Sequence, residues 1–160
     1  MIMAERDLYP DVKNWLDKYL KEKYKGYNVE TTFETYKRAL DVVLKKRGII
    51  LKEAIGLSIK IDAIGILRRG SNLRLVFVEV KDKPLNLKDL GQLWGYTQLI
   101  NPLESFLLSS EGLGSLSYIF NVLKREDLLR YGIKGERFMQ VAKWDVRRKS
   151  IDYDTLIPKL

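Results

Sequence analysis

The sequence predicts an α/β domain, one unit over residues 1–160, with a central mixed sheet of four to five strands flanked by helices. Three observations predict it. Helical and strand periodicities alternate along the chain in the order helix, strands, helix, strand, helix, strand. Two consecutive strands, 58–67 and 73–81, are apolar on both faces, a pattern that suits a sheet covered on both sides. No linker, repeat or low-complexity tract divides the chain.

The elements follow in order. Leu8, Val12, Trp15, Leu16, Tyr19 and Leu20 recur at helical spacing and predict an amphipathic helix running to about Tyr24. Pro10 belongs to its first turn, where backbone N–H groups lack partners anyway, so the cap falls near Asp7 and Glu5 sits at the helix mouth. Gly26 ends the element. Residues 27–33 read as extended, and 36–57 as a short helix followed by a loop or strand. The turn "RRGSN" joins strands 58–67 and 73–81 into a hairpin. Pro84 stops the second strand, and Asn86 with Asp89 three residues on forms a capping-box variant for a helix to about Leu99. A buried strand at 105–109, a helix at 116–131 with Ile119, Phe120, Leu123 and Leu128 on its apolar side, and a final strand at 138–144 complete the set, leaving a basic tail at 147–149.

Composition narrows the chemistry. At 46% hydrophobic and 31% charged residues the chain reads as globular. It has no cysteine and no histidine, which excludes disulfides, thiolate zinc sites and histidine-dependent triads. Hydrolytic chemistry is left to carboxylates, lysine, tyrosine, hydroxyls, or a hard metal on oxygen ligands. The net charge of +8 favours a polyanionic partner through phosphate neutralisation. No apolar run spans a bilayer, and residues 1–7 turn acidic at once, so the expectation is a cytoplasmic protein without a membrane partner. A cysteine-free chain rich in Lys, Glu and Ile also fits a thermophile.

The stretch "FVEVKDKP" carries the functional signal. Val78 and Val80 alternate with Glu79 and Lys81, so in a strand the two polar side chains share one face. On the partner strand "KIDAIG" interrupts its apolar run with Asp62, which the tight turn makes a candidate neighbour of Glu79. Two converging carboxylates repel and are costly to desolvate unless a cation joins them. Mg²⁺ or Mn²⁺ suits the pair, being a hard ion that keeps waters and takes further oxygens from a substrate phosphate. A lysine alongside is placed to stabilise developing negative charge or to orient the attacking water. The same residues also fit a buried Asp–Lys–Glu ion network, or a strand end in solvent.

"IDAIG" followed by "FVEVK" resembles the signature of the PD-(D/E)XK nucleases, with Asp62 and then Glu79-Val80-Lys81 at the end of the next strand. That superfamily includes restriction endonucleases, archaeal Holliday-junction resolvases and RecB-type nucleases. Ile61 stands where the family usually has proline. Downstream, "GQLWGY" resembles the Q-x-x-x-Y motif of the RecB-like branch through Gln92 and Tyr96, which share a helix face. Upstream, "ERDLYPDVKNWL" resembles the first helix of many members, and Glu5 matches its leading glutamate.

The resemblance implies a restriction-endonuclease-like fold and a Mg²⁺- or Mn²⁺-dependent deoxyribonuclease, with endo- or exonucleolytic cutting left open. Asp62, Glu79 and the Val80 carbonyl are the implied metal ligands, and Lys81 supports the attacking water. Gln92, Tyr96 and Glu5 complete the catalytic set. Lys45, Lys46, Arg47, Lys83 and Lys88 are candidate nucleic-acid contacts, Trp94 belongs to the core, and a homodimer is compatible with the reading. The alternative is a non-cleaving nucleic-acid-binding module on a nuclease fold.

Overall fold

The computed structural model describes residues 4–159. A mixed sheet of six strands, in the order β1-β2-β3-β4-β7-β8, carries helices on both faces. The first helix, α1 (Tyr9–Lys23), follows a 3-10 turn over Glu5–Leu8, and Pro10 lies in its first turn. Val12, Leu16 and Leu20 recur every four residues and are fully buried, each contributing about 1.5–3 kcal/mol of burial. The helix ends at Tyr24, and Gly26 turns the chain with φ +93°.

β1 (Asn28–Thr32) forms one edge, antiparallel to β2 (Ala63–Arg69). α2 (Leu40–Lys45) lies between them in sequence. β2 and β3 (Asn72–Lys81) make the expected hairpin, paired from Arg69 with Asn72 back to Ala63 with Val78. Asn86 caps α3 (Leu87–Ile100): its side chain accepts from Asp89 N–H at 3.0 Å, and the Asp89 carboxylate accepts from Asn86 N–H at 3.1 Å. α3 returns the chain to β4 (Glu104–Ser109), which runs parallel to β3. β5 (Arg130–Tyr131) and β6 (Arg137–Phe138) form a separate two-stranded ribbon. β7 (Gln140–Asp145) joins β4 in parallel, and β8 (Ser150–Ile157) closes the far edge antiparallel to β7.

The period of two in β3 divides the core. Val76, Val78 and Val80 pack with Phe106, Leu108 and Trp144 beneath α1. Leu75 and Phe77 pack with Leu107, Val141, Leu40, Leu90 and Leu93 on the α2 and α3 side. α1 lies so close to β2 that a Cβ at Gly65 would run into Leu20 Cδ1. The C-terminal end of α1 is fastened as well. The buried Glu104 carboxylate, at the start of β4, accepts from Tyr19 Oη at 2.7 Å, Tyr24 Oη at 2.5 Å and Gln140 Nε2 at 3.0 Å, and pairs with Lys23 Nζ at 3.2 Å.

Four expectations are corrected. The sheet has six strands rather than four to five. The first hairpin strand starts at Ala63 rather than 58, because Ile59 C=O accepts from Leu40 N–H and Ile61 N–H donates to Thr35 C=O, which ties 59–61 to the preceding loop. No continuous helix covers 116–131: a single π-helical turn (Tyr118–Val122) gives way at Lys124, with φ +57°, to a 3-10 turn (Glu126–Leu129). The basic residues 147–149 form the turn between β7 and β8 rather than a tail.

Candidate active site

β2 and β3 separate just beyond the Ala63–Val78 pair, and there the ladder is continued by side chains. Asp62 N–H donates to Glu79 Oε1 at 2.9 Å, and Val80 N–H donates to Asp62 Oδ2 at 2.9 Å. Each carboxylate thus takes a backbone donor of the other's strand, and both are buried. Glu79 and Lys81 share a face as the spacing required, with Lys81 Nζ 3.7 Å from Glu79 Oε2. Because a strand residue's N–H and C=O project to the same side, the Val80 carbonyl points toward the gap that Asp62 borders.

α1 reaches the site from the other layer. The ring of Tyr9 is buried, and its hydroxyl lies 2.9 Å from both Asp62 Oδ1 and Glu5 Oε2. Glu5 is therefore brought to Asp62 through a tyrosine. On the remaining side Asp89, at the first turn of α3, lies 3.8 Å from Lys83 Nζ. Four carboxylates, of Glu5, Asp62, Glu79 and Asp89, crowd around the ammoniums of Lys81 and Lys83.

The electrostatics follow from this crowding. Burial pushes Glu79 up to about 8, and the adjacent Asp62 carboxylate adds to the rise against Lys81 and the Asp62 N–H. Burial likewise raises Asp62, opposed by the Val80 N–H and the Tyr9 hydroxyl and reinforced by Glu5. Burial disfavours the Lys81 ammonium, but Glu79, Glu5, Asp62 and Asp89 outweigh it and hold Lys81 above its ordinary value. Lys81 is thus a fixed cation near neutral pH, suited to orienting or stabilising an anion rather than to accepting a proton.

Among the described residues no three carboxylates converge tightly enough to enclose a metal by themselves. Two carboxylates and a carbonyl fit a hard divalent ion that keeps several waters. Asp62, Glu79 and the Val80 carbonyl would hold such an ion.

The other expected residues scatter. Gln92 is exposed on α3, and Tyr96 is half-buried against the core; among the described residues neither hydrogen-bonds Asp62, Glu79 or Lys81. Lys45 and Lys88 are exposed. Lys46 pairs with Glu34 at 3.4 Å, and Lys83 is drawn to Asp89. Arg47 is tied into the protein: it meets Glu30 at 2.6 Å, Glu34 at 2.8 Å and the Val43 carbonyl at 3.0 Å. Trp94 is corrected from the core to the surface. It is 44% exposed and lines an apolar recess of about 170 Å³ with Leu87, Leu90, Gly91 and Leu128. Sequence reasoning missed Tyr9 and took Asp89 only as a cap. The signal for Tyr9 was its place four residues after Glu5, one turn along the same helical face.

Among the described residues no helix is long and apolar enough to cross a membrane. No family model matches the chain, and no curated protein matches it in sequence.

Proposed function

We propose that the protein is a metal-dependent nuclease that hydrolyses phosphodiester bonds, with DNA the leading substrate. One observation carries the reading: Asp62 and Glu79 meet where the hairpin opens, with Lys81 on the same face 3.7 Å from Glu79, in a chain of net charge +8. A basic protein that buries acids where two interior strands part has a use for a divalent ion and an anionic ligand there.

In this reading Asp62, Glu79 and the Val80 carbonyl hold Mg²⁺ or Mn²⁺. Such an ion, when bound, would supply Lewis-acid polarisation of a phosphodiester and a more acidic water. Lys81, kept protonated by its acidic neighbours, orients the attacking water and stabilises charge that develops on the phosphate. Glu5, which the Tyr9 hydroxyl sets near Asp62, has the supporting role that the resemblance to PD-(D/E)XK nucleases implies, whereas Gln92 and Tyr96, among the described residues, make no hydrogen bond to Asp62, Glu79 or Lys81 and carry no part of the reading. A restriction-endonuclease-like topology for the mixed sheet belongs to the same proposal.

The second reading is a nucleic-acid-binding module that does not cut. What favours it is that both Asp62 oxygens already hold donors, Val80 N–H and the Tyr9 hydroxyl. Incubation of duplex, single-stranded and junction DNA, and of RNA, with and without Mn²⁺ separates the two. Metal-dependent cleavage that disappears in folded Asp62→Ala and Lys81→Ala variants supports the nuclease. Salt-sensitive binding with no cleavage under any metal supports the binder.

A further inference from the structure

The hydroxyl of Tyr9 has one proton and lies 2.9 Å from two carboxylates, of Asp62 and Glu5. It donates fully to one of them only, which leaves the other an anionic oxygen in want of a donor. Asp62 is otherwise fixed: its Oδ2 is held by Val80 N–H, and its own N–H is bound to Glu79. Glu5 stands at the edge of the site on the 3-10 turn before α1, half exposed, and the Tyr9 hydroxyl ties its carboxylate to Asp62. The Tyr9 ring cannot swing away. It is 4% exposed and packed against Tyr36, with ring centroids 4.9 Å apart, and against Phe33 at 6.4 Å.

We propose that Tyr9 is a positioning residue that locks the Asp62 carboxylate and holds Glu5 at a set distance from it, so that Glu5 accepts a hydrogen bond from a water of the bound cation. The inference rests on the metal-dependent reading of the site. It assigns Glu5 to the cation's water shell rather than to direct ligation, in accord with the absence, among the described residues, of a three-carboxylate cluster. Partners that orient ligands in this way change metal affinity by roughly 10- to 100-fold.

Tyr9→Phe keeps the buried ring and removes only the hydroxyl. Calorimetric titration of the purified protein with Mn²⁺, without nucleic acid, is expected to show affinity reduced about tenfold, with cooperative unfolding retained. In cleavage assays the variant requires about tenfold more Mn²⁺ for half-maximal rate, while the rate at saturating Mn²⁺ stays within about threefold of wild type. Glu5→Gln, a change in a half-exposed residue that leaves the ring untouched, weakens Mn²⁺ binding similarly, and in the Tyr9→Phe background it adds little, because the two act as a unit. The proposal is overturned if Tyr9→Phe binds Mn²⁺ as the wild type does, or if the two changes add in full. A wild-type protein that binds no Mn²⁺ overturns the metal-dependent reading together with this one. A wild type that binds Mn²⁺ and cuts, beside a Tyr9→Phe variant that titrates identically, overturns the tether alone.

Discussion

Replacing Glu79 with glutamine removes a charge that the folded protein holds at a cost. In the unfolded chain this carboxyl loses its proton near 4.5, and in the folded protein near 8. Between those values the unfolded state binds fewer protons than the native state, so stability falls as pH rises through this window and levels off above it. The full loss is roughly 5 kcal/mol, since each tenfold change in proton affinity is worth about 1.4 kcal/mol. Asp62, also raised, acts in the same direction. The glutamine carbonyl still accepts from Asp62 N–H, and losing the Lys81 contact offsets about 1 kcal/mol. In metal-free buffer at pH 9 the variant is therefore expected to be more stable than the wild type by about 4 kcal/mol, and at pH 4.5 to match it within about 1 kcal/mol. Urea unfolding followed by tryptophan fluorescence reads this directly, because Trp144 is buried in the α1 layer. Wild-type stability that stays flat from pH 5 to 9, or variant and wild-type curves that run parallel, would refute the reasoning. Added Mn²⁺ at pH 8 should restore stability to the wild type and leave Glu79→Gln unchanged.

Two further perturbations test other parts of the account. Arg47→Ala breaks contacts to Glu30, Glu34 and the Val43 carbonyl and should cost about 2 kcal/mol in urea unfolding; an unchanged stability with weakened DNA binding would return Arg47 to the nucleic-acid contacts. Gly65→Ala forces a methyl group against the buried Leu20 and should destabilise by about 1–3 kcal/mol in urea unfolding; an unchanged midpoint would refute this tight packing of α1 on β2.

The hairpin and its polar interruptions were legible because strand periodicity places Glu79 and Lys81 on one face whatever the tertiary context, whereas the register that sets Asp62 beside Glu79 was not, since it depends on the pairing of Arg69 with Asn72 across a tight turn. Asn86 and Asp89 were legible because a capping box is local chemistry. Tyr9 was obscured by its own pattern: a tyrosine one turn beyond Glu5 reads as part of an amphipathic stripe, and only tertiary packing turns its hydroxyl to Asp62. The stretch 116–131 carries helical spacing, yet Tyr118, Val122 and Leu123 are exposed and Lys124 takes a left-handed conformation, so tertiary context overrides periodicity. β8 escaped notice because an edge strand with the sequence "SIDYDTLI" buries only Ile151 and Ile157.

The girdle of donors around Glu104 has a mechanical consequence. α1 is bolted to the sheet at both extremities, by Tyr19, Lys23 and Tyr24 at one and by Tyr9 at the other. A rod clamped twice neither tilts nor slides, so the acidic corner at the hairpin's mouth is built once, during folding, and would meet any ligand ready-made.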